Sequence, residues 1–111
     1  LTGSASWYML TLVTQMFGVR GEYGDLVLNP KLLAEQFDEE GNASIRTLFA
    51  DRFICVVYVN KHMEEIGDYE IDEIYLDHKI YPISAETARI SREDILALEE
   101  DKEHVIRVIL S

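Results

Sequence analysis

The chain has 111 residues and a mass of 12.8 kDa, the size of one domain and too small for a conventional two-domain enzyme with its own cleft. Its 48% hydrophobic and 28% charged residues form a globular balance that argues against disorder. Ten Lys and Arg against 21 Asp and Glu give a net charge of -11 and a pI near 4.5, the wrong sign for a nucleic-acid backbone or an anionic membrane surface.

The charge is unevenly distributed. Residues 1–20 carry only Arg20, whereas residues 21–111 carry 9 basic and 21 acidic groups. In the uncharged part, Trp7, Met9, Leu10, Leu12, Val13, Met16 and Phe17 recur at spacings of three and four, and the opposite stripe of Tyr8, Thr11 and Gln15 is polar without charge. This predicts a helix over residues 5–17, with Ser4 or Ser6 as N-cap and Gly18 in the left-handed position after its last turn. A helix apolar around most of its circumference needs cover on several sides. No other long helix of that character follows in the sequence, and the chain opens on Leu1 rather than on Met, so it reads as a fragment of something larger.

The hydrophobic period then changes. Residues 25–28 form a short apolar strand stopped by Asn29-Pro30. The run Asp38-Glu39-Glu40-Gly41-Asn42 is a turn signal ahead of strands at 43–49 and 52–60, with a tight reversal at Ala50-Asp51. In the second of these strands Phe53, Cys55, Val57 and Val59 share one face and Ile54, Val56 and Tyr58 the other. Apolar residues on both faces predict a central strand covered on both sides. Residues 69–76 alternate and lead through Asp77-His78-Lys79 into a strand at 80–83, which Pro82 places at a sheet edge. Ser91 and Asp94 resemble a capping box for a short helix over 92–98, and residues 103–110 close the chain as an apolar strand. Six or seven short strands predict an antiparallel sandwich.

Candidate chemistry concentrates at Thr2-Gly3-Ser4-Ala5-Ser6. Small residues at a helix start leave backbone N–H groups facing outward with the positive end of the helix dipole behind them, which suits an anion such as phosphate; an ordinary Ser-rich cap has the same pattern. The acidic clusters Glu39-Glu40, Glu64-Glu65, Asp72-Glu73 and Glu99-Glu100-Asp101 read as solvated surface, because a catalytic pair needs unequal environments. His62 beside Glu64 and Glu65 is too sparse for a metal site. Cys55 reads as an inert core thiol, and a single cysteine fits a reducing, cytoplasmic setting. The aromatics Trp7, Tyr8, Phe17, Phe49 and Tyr58 read as packing rather than a sugar platform. Asn42-Ala43-Ser44 matches a glycosylation pattern that carries little weight without a secretory leader. No apolar stretch reaches the ~20 residues that a membrane-spanning helix needs.

The opening residues Leu1-Thr2-Gly3-Ser4-Ala5-Ser6-Trp7, followed by Phe17-Gly18-Val19-Arg20 and Leu26-Val27-Leu28-Asn29-Pro30, resemble the C-terminal end of the sugar phosphorylases of glycoside hydrolase family 94, with cellobiose and cellodextrin phosphorylases as the nearest likeness. The resemblance is specific over about the first 30 residues and rests on architecture beyond them. It implies that residues 1–22 are the last helix of an otherwise missing (α/α)6 barrel with the start of a phosphate loop. Residues 23–111 would be a C-terminal jelly-roll-like β-sandwich.

The activity it implies is inverting phosphorolysis of a β-glucoside to α-glucose 1-phosphate and a shortened sugar, with inorganic phosphate as substrate and no metal or organic cofactor. Phosphate attacks the face opposite a protonated leaving oxygen, a variation on the inverting two-carboxylate scheme. Thr2 and Gly3 match the family's phosphate-contacting Thr-Gly pair, and Ser4 is their neighbour. No catalytic residue is assigned: the acid belongs to the barrel, and Arg20, His62, His78 and His104 match none of the family's other phosphate ligands. The implied partners are the rest of the parent chain, phosphate and a β-glucan oligosaccharide, with homodimerisation usual in the family. Two other readings stay open at this point, a non-catalytic carbohydrate-binding sandwich and an oligomerisation module.

Overall fold

The computed structural model describes residues 16–83 and 88–111. Eight strands dominate it: β1 (Val19–Glu22), β2 (Asp25–Leu28), β3 (Asn42–Phe49), β4 (Arg52–Asn60), β5 (Ile71–Leu76), β6 (Lys79–Tyr81), β7 (Ala88–Ile90) and β8 (Glu103–Leu110). A 3-10 turn at Ala34–Gln36 and a short helix α1 (Arg92–Leu96) complete the regular elements among the described residues. The predicted helix over 5–17 falls outside them except for Met16 and Phe17, which are helical; Gly18 follows at φ +65 as expected.

The strands form two sheets, a three-stranded one in the order β1-β2-β7 and a five-stranded one in the order β3-β4-β8-β5-β6. Both contribute to one hydrophobic cluster. Leu26, Leu28, Ala88 and Ile90 come from the small sheet, and Ile54, Val56, Tyr58, Ile74, Ile106, Val108 and Leu110 from the large one. Ile95 of α1 and the loop residues Leu32, Phe37 and Tyr69 complete it. Each aliphatic side chain taken fully out of water stabilises the fold by about 1.5–3 kcal/mol before entropy is subtracted.

Alternation explains the large sheet strand by strand. In β3 the half-buried Ala43, Ile45, Thr47 and Phe49 interleave with exposed Ser44, Arg46 and Leu48. In β8, His104, Ile106, Val108 and Leu110 are all buried, two residues apart on one face. Lys79–Tyr81 lies at the sheet edge, where Pro82 loses no ladder hydrogen bond.

Three expectations are revised. The sandwich is not uniformly antiparallel, because β4 and β8 pair in parallel from Phe53↔Glu103 to Asn60↔Leu110. Parallel neighbours need a long crossover, and residues 61–102 supply one that visits both sheets before β8 returns beside β4. Strand β4 is central between β3 and β8, but it is fully covered on one face only. Ile54, Val56 and Tyr58 are buried, whereas on the opposite face cover grows from Phe53, 56% exposed, through half-buried Cys55 and Val57 to buried Val59. Cys55 lies on that outer face, half-buried rather than in the core. Strand β1 pairs with β2 from Val19↔Leu28 to Glu22↔Asp25.

Three hairpins close in the same way. Tyr23-Gly24, Ala50-Asp51 and Asp77-His78 are two-residue loops in which both residues have positive φ. This is the type I′ pattern, whose twist matches that of the flanking strands. Lys79, expected in the third turn, is the first residue of β6.

Candidate functional site

The expected phosphate contacts Thr2, Gly3 and Ser4 lie outside the described residues. The second half of the motif, from Phe17 to Pro30, lies within them, and its two ends meet. The Asn29 N–H donates to Gly18 O at 2.9 Å, and the Lys31 N–H donates to Met16 O at 2.8 Å. A Cβ on Gly18 would stand 1.8 Å from Asn29 O, so position 18 requires glycine for space as well as for its φ of +65. The buried Tyr58 of β4 donates its hydroxyl to Phe17 O at 2.6 Å, and the two rings pack at 6.0 Å between centroids. Burial pushes the Tyr58 phenol far above the ordinary tyrosine range, which keeps it a neutral donor. The helical turn at Met16 and Phe17 is therefore fixed to both sheets, through β2 and through β4.

A second polar cluster joins β1, β2, β7 and α1. Arg89 places Nη1 2.9 Å from Asp25 Oδ2 and Nη2 2.9 Å from Glu22 Oε1, while Asp25 Oδ1 accepts from the Arg92 N–H at 2.7 Å. The Arg89 guanidinium, helped by that backbone N–H, holds the Asp25 carboxyl below the usual aspartate range. At the start of α1, Ser91 Oγ accepts from the Asp94 N–H at 3.2 Å, the expected N-cap. Tyr81 and Ser91 hydroxyls donate to the Asp94 carboxylate and lower its pKa. These groups are fully engaged with one another and hold the end of the small sheet.

The third cluster surrounds His104. Its imidazole is buried, with Nδ1 2.5 Å from Asp77 Oδ2 and Nε2 2.7 Å from the Glu99 carbonyl oxygen. Asp77 Oδ1 accepts from the Val105 N–H at 2.8 Å, so one carboxylate spans the β5–β6 turn and β8. An open cavity of about 410 Å³ lies over this cluster, between the turn and the loop that follows α1. Beside it Arg52, also buried, donates through Nε to Leu98 O and through Nη2 to Leu96 O, at 3.2 and 3.0 Å. These carbonyls lie at the end of α1, where a cation also opposes the negative end of the helix dipole.

The Ser91–Asp94 cap is the part of these clusters that the sequence marks; the Arg89 and His104 contacts carry no local pattern. The signal for His104 was available, because it occupies the inward position of the alternating run His104, Ile106, Val108, Leu110, where a polar residue needs a partner. Its partner Asp77 is 27 residues away in a turn, and no local pattern links the two.

The remaining candidates stay apart. Glu39, Glu40, Glu65, Asp72, Glu99, Glu100 and Asp101 are exposed, but Glu64 and Glu73, expected on the solvated surface, are half-buried, Glu73 accepting from the Tyr75 hydroxyl; no group of three or more His, Cys, Asp or Glu with metal-binding geometry occurs among the described residues. His62 and His78 are exposed, as is Arg20, whose Nη2 pairs with Glu22 at 3.3 Å. Tyr58, Phe17 and Phe49 pack into or against the core, while Trp7 and Tyr8 lie outside the described residues. Among the described residues the two most exposed aromatics, Tyr23 and Phe53, belong to different sheets and form no stacked pair. No helix among the described residues is long and apolar enough to cross a membrane. No protein-family model matches the chain, and no curated protein matches it.

Proposed function

We propose that the chain is the C-terminal part of an inverting β-glucoside phosphorylase. In this reading it supplies Thr2 and Gly3 to the phosphate subsite and a jelly-roll-like β-unit that buttresses a catalytic (α/α)6 barrel. The observation that carries the reading is the motif itself, Leu1-Thr2-Gly3-Ser4-Ala5-Ser6-Trp7 continued by Phe17 to Pro30. Its second half has a structural reason to be spelled as it is: Gly18 and Asn29 are in contact, and Phe17 is held by Tyr58. The helix expected over residues 5–17, held where Met16 and Phe17 are helical, would present its N-terminal backbone donors to an anion.

The division of labour follows from chemistry. Phosphate carries its own charge and nucleophilicity, so this part of the protein needs donors rather than a base, and Thr2 with the backbone at Gly3 would supply them. The proton for the leaving oxygen comes from a carboxylic acid in the barrel. In the full reading-frame product, Thr2→Ala is expected to raise the KM for phosphate about tenfold or more, the loss of one hydrogen bond to a charged group, with the KM for the glucoside little changed. An unchanged phosphate KM would contradict the assignment.

A further inference from the structure

Both ring nitrogens of His104 face oxygens that accept hydrogen bonds. Nδ1 faces the Asp77 carboxylate at 2.5 Å, and Nε2 faces the Glu99 carbonyl at 2.7 Å. A neutral imidazole carries one N–H and one lone pair, so it can satisfy only one of these partners and must point its lone pair at the other. An imidazolium satisfies both. The ring is only 6% exposed, so these two oxygens are its principal hydrogen-bond partners.

We infer that His104 is a pH-sensitive latch: as imidazolium it ties the Asp77-His78 turn to the loop between α1 and β8, and on losing its Nε2 proton it releases the Glu99 side and loosens the loop that walls the cavity beside it. Nδ1 keeps its proton on deprotonation, because its bond to a carboxylate is charge-assisted and the bond to a neutral carbonyl is weaker. The turn stays anchored in either state, since the Asp77 N–H also donates to Val105 O at 2.9 Å and Asp77 Oδ1 accepts from Val105.

The charges around the ring come from every element packed on it. The turn supplies Asp77 and the exposed His78, and β8 supplies Glu103, which pairs with Arg46 of β3 at 3.4 Å. The loop supplies Glu99 and Lys102, which pair with each other at 3.0 Å. From β4, Arg52 holds Leu96 O and Leu98 O and pairs with Glu100 at 3.6 Å. Glu99, Glu100 and Glu103 are thus each matched by a cation, and the Asp77 carboxylate is left to His104. Burial opposes the charge on the imidazole, but the Glu99 carbonyl and the Asp77 carboxylate outweigh it and hold the His104 pKa above the ordinary histidine range.

The sign of the effect follows. A group whose pKa is higher in the folded chain than in the unfolded one contributes stability that is complete below the unfolded pKa and disappears as pH rises through the folded one. Mildly acidic conditions close the latch and alkaline conditions open it.

The test uses the full chain labelled with 15N, with long-range proton–nitrogen spectra resolving Nδ1 and Nε2 of His104 as pH is raised. The expected result is a titration midpoint above that of the same histidine in urea-unfolded chain, with Nε2 losing the proton and the backbone amides of residues 98–102 shifting at the same midpoint. Asp77→Asn supplies a second reading. Its side-chain N–H would face Nδ1 and favour a neutral ring with Nε2–H toward Glu99, so the midpoint should fall below the wild-type value and the loop amides should no longer follow it. Three results would overturn the proposal: a wild-type midpoint at or below that of the unfolded chain, loop amides that ignore the titration, or a folded Asp77→Asn protein that titrates like wild type. The wild-type comparison stands alone if the variant does not fold.

Discussion

At residue 50 the backbone turns through a region that L-residues occupy at a cost. Ala50 and Asp51 have φ values of 50 and 61, and Ala has no side-chain oxygen to compensate. The left-handed conformation costs an ordinary residue roughly 1–2 kcal/mol. Replacing the pair with the residues this turn prefers, Ala50→Asn with Asp51→Gly, should therefore raise stability by about 0.5–1 kcal/mol after the entropic cost of glycine in the unfolded chain. A urea melt with an unchanged slope reads this directly; a lower midpoint would show that the native side chains contribute contacts outweighing the strain. The reversal itself was legible in the sequence as a two-residue break between apolar runs. Its turn type was not, because neither Asn nor Gly marks it. The same limit applied to His104, whose inward position alternation predicts but whose partner it cannot name.

At the scale of elements, long strands with clean alternation were readable and short ones were not. The bounds of β4 and β8 follow from nine- and eight-residue runs rich in β-branched residues, and Ser91 with Asp94 marks α1 through its cap. Strand β1, Val-Arg-Gly-Glu, has one apolar residue in four and a glycine, and β7 has only three residues. Both are held by pairing with β2, a tertiary effect that propensity does not carry. The parallel β4–β8 pairing was invisible for a related reason: strand direction depends on the path of the 42 residues between them, not on either strand's composition.

Packing decides which apolar strand residues matter. Ile106 in the middle of β8 is 0% exposed in the shared core, while Ile80 on the edge strand β6 is 67% exposed. Ile106→Ala is expected to cost about 2–5 kcal/mol. Ile80→Ala should stay within about 0.5 kcal/mol of the parent. Chemical denaturation of the two variants checks the difference, and equal losses would contradict the arrangement of the two sheets around one core.

For the whole molecule, the charge distribution and the fold point the same way. Residues 21–111 carry 21 acidic against 9 basic groups, and Arg20 before them brings the net charge to -11. Residues 1–19 are uncharged and mostly apolar, a character that calls for neighbours. The β-unit grips the end of that segment through Gly18, Asn29 and Tyr58, so the two regimes of the sequence are mechanically joined. The fold class was legible because alternation and turn residues report on sheets. The proposed phosphate subsite was legible only as a motif, since a helix cap and an anion site use the same small residues.

Reading the coding DNA upstream of Leu1 tests the proposal that this chain is the terminal part of a phosphorylase. The expected result is an in-frame, helix-rich stretch long enough to encode an (α/α)6 barrel, with a carboxylic acid placed to protonate the leaving oxygen and the Thr2-Gly3 turn at its end. A start codon within a few residues of Leu1 would contradict it, leaving a free-standing small domain whose apolar opening segment must be covered by another protein.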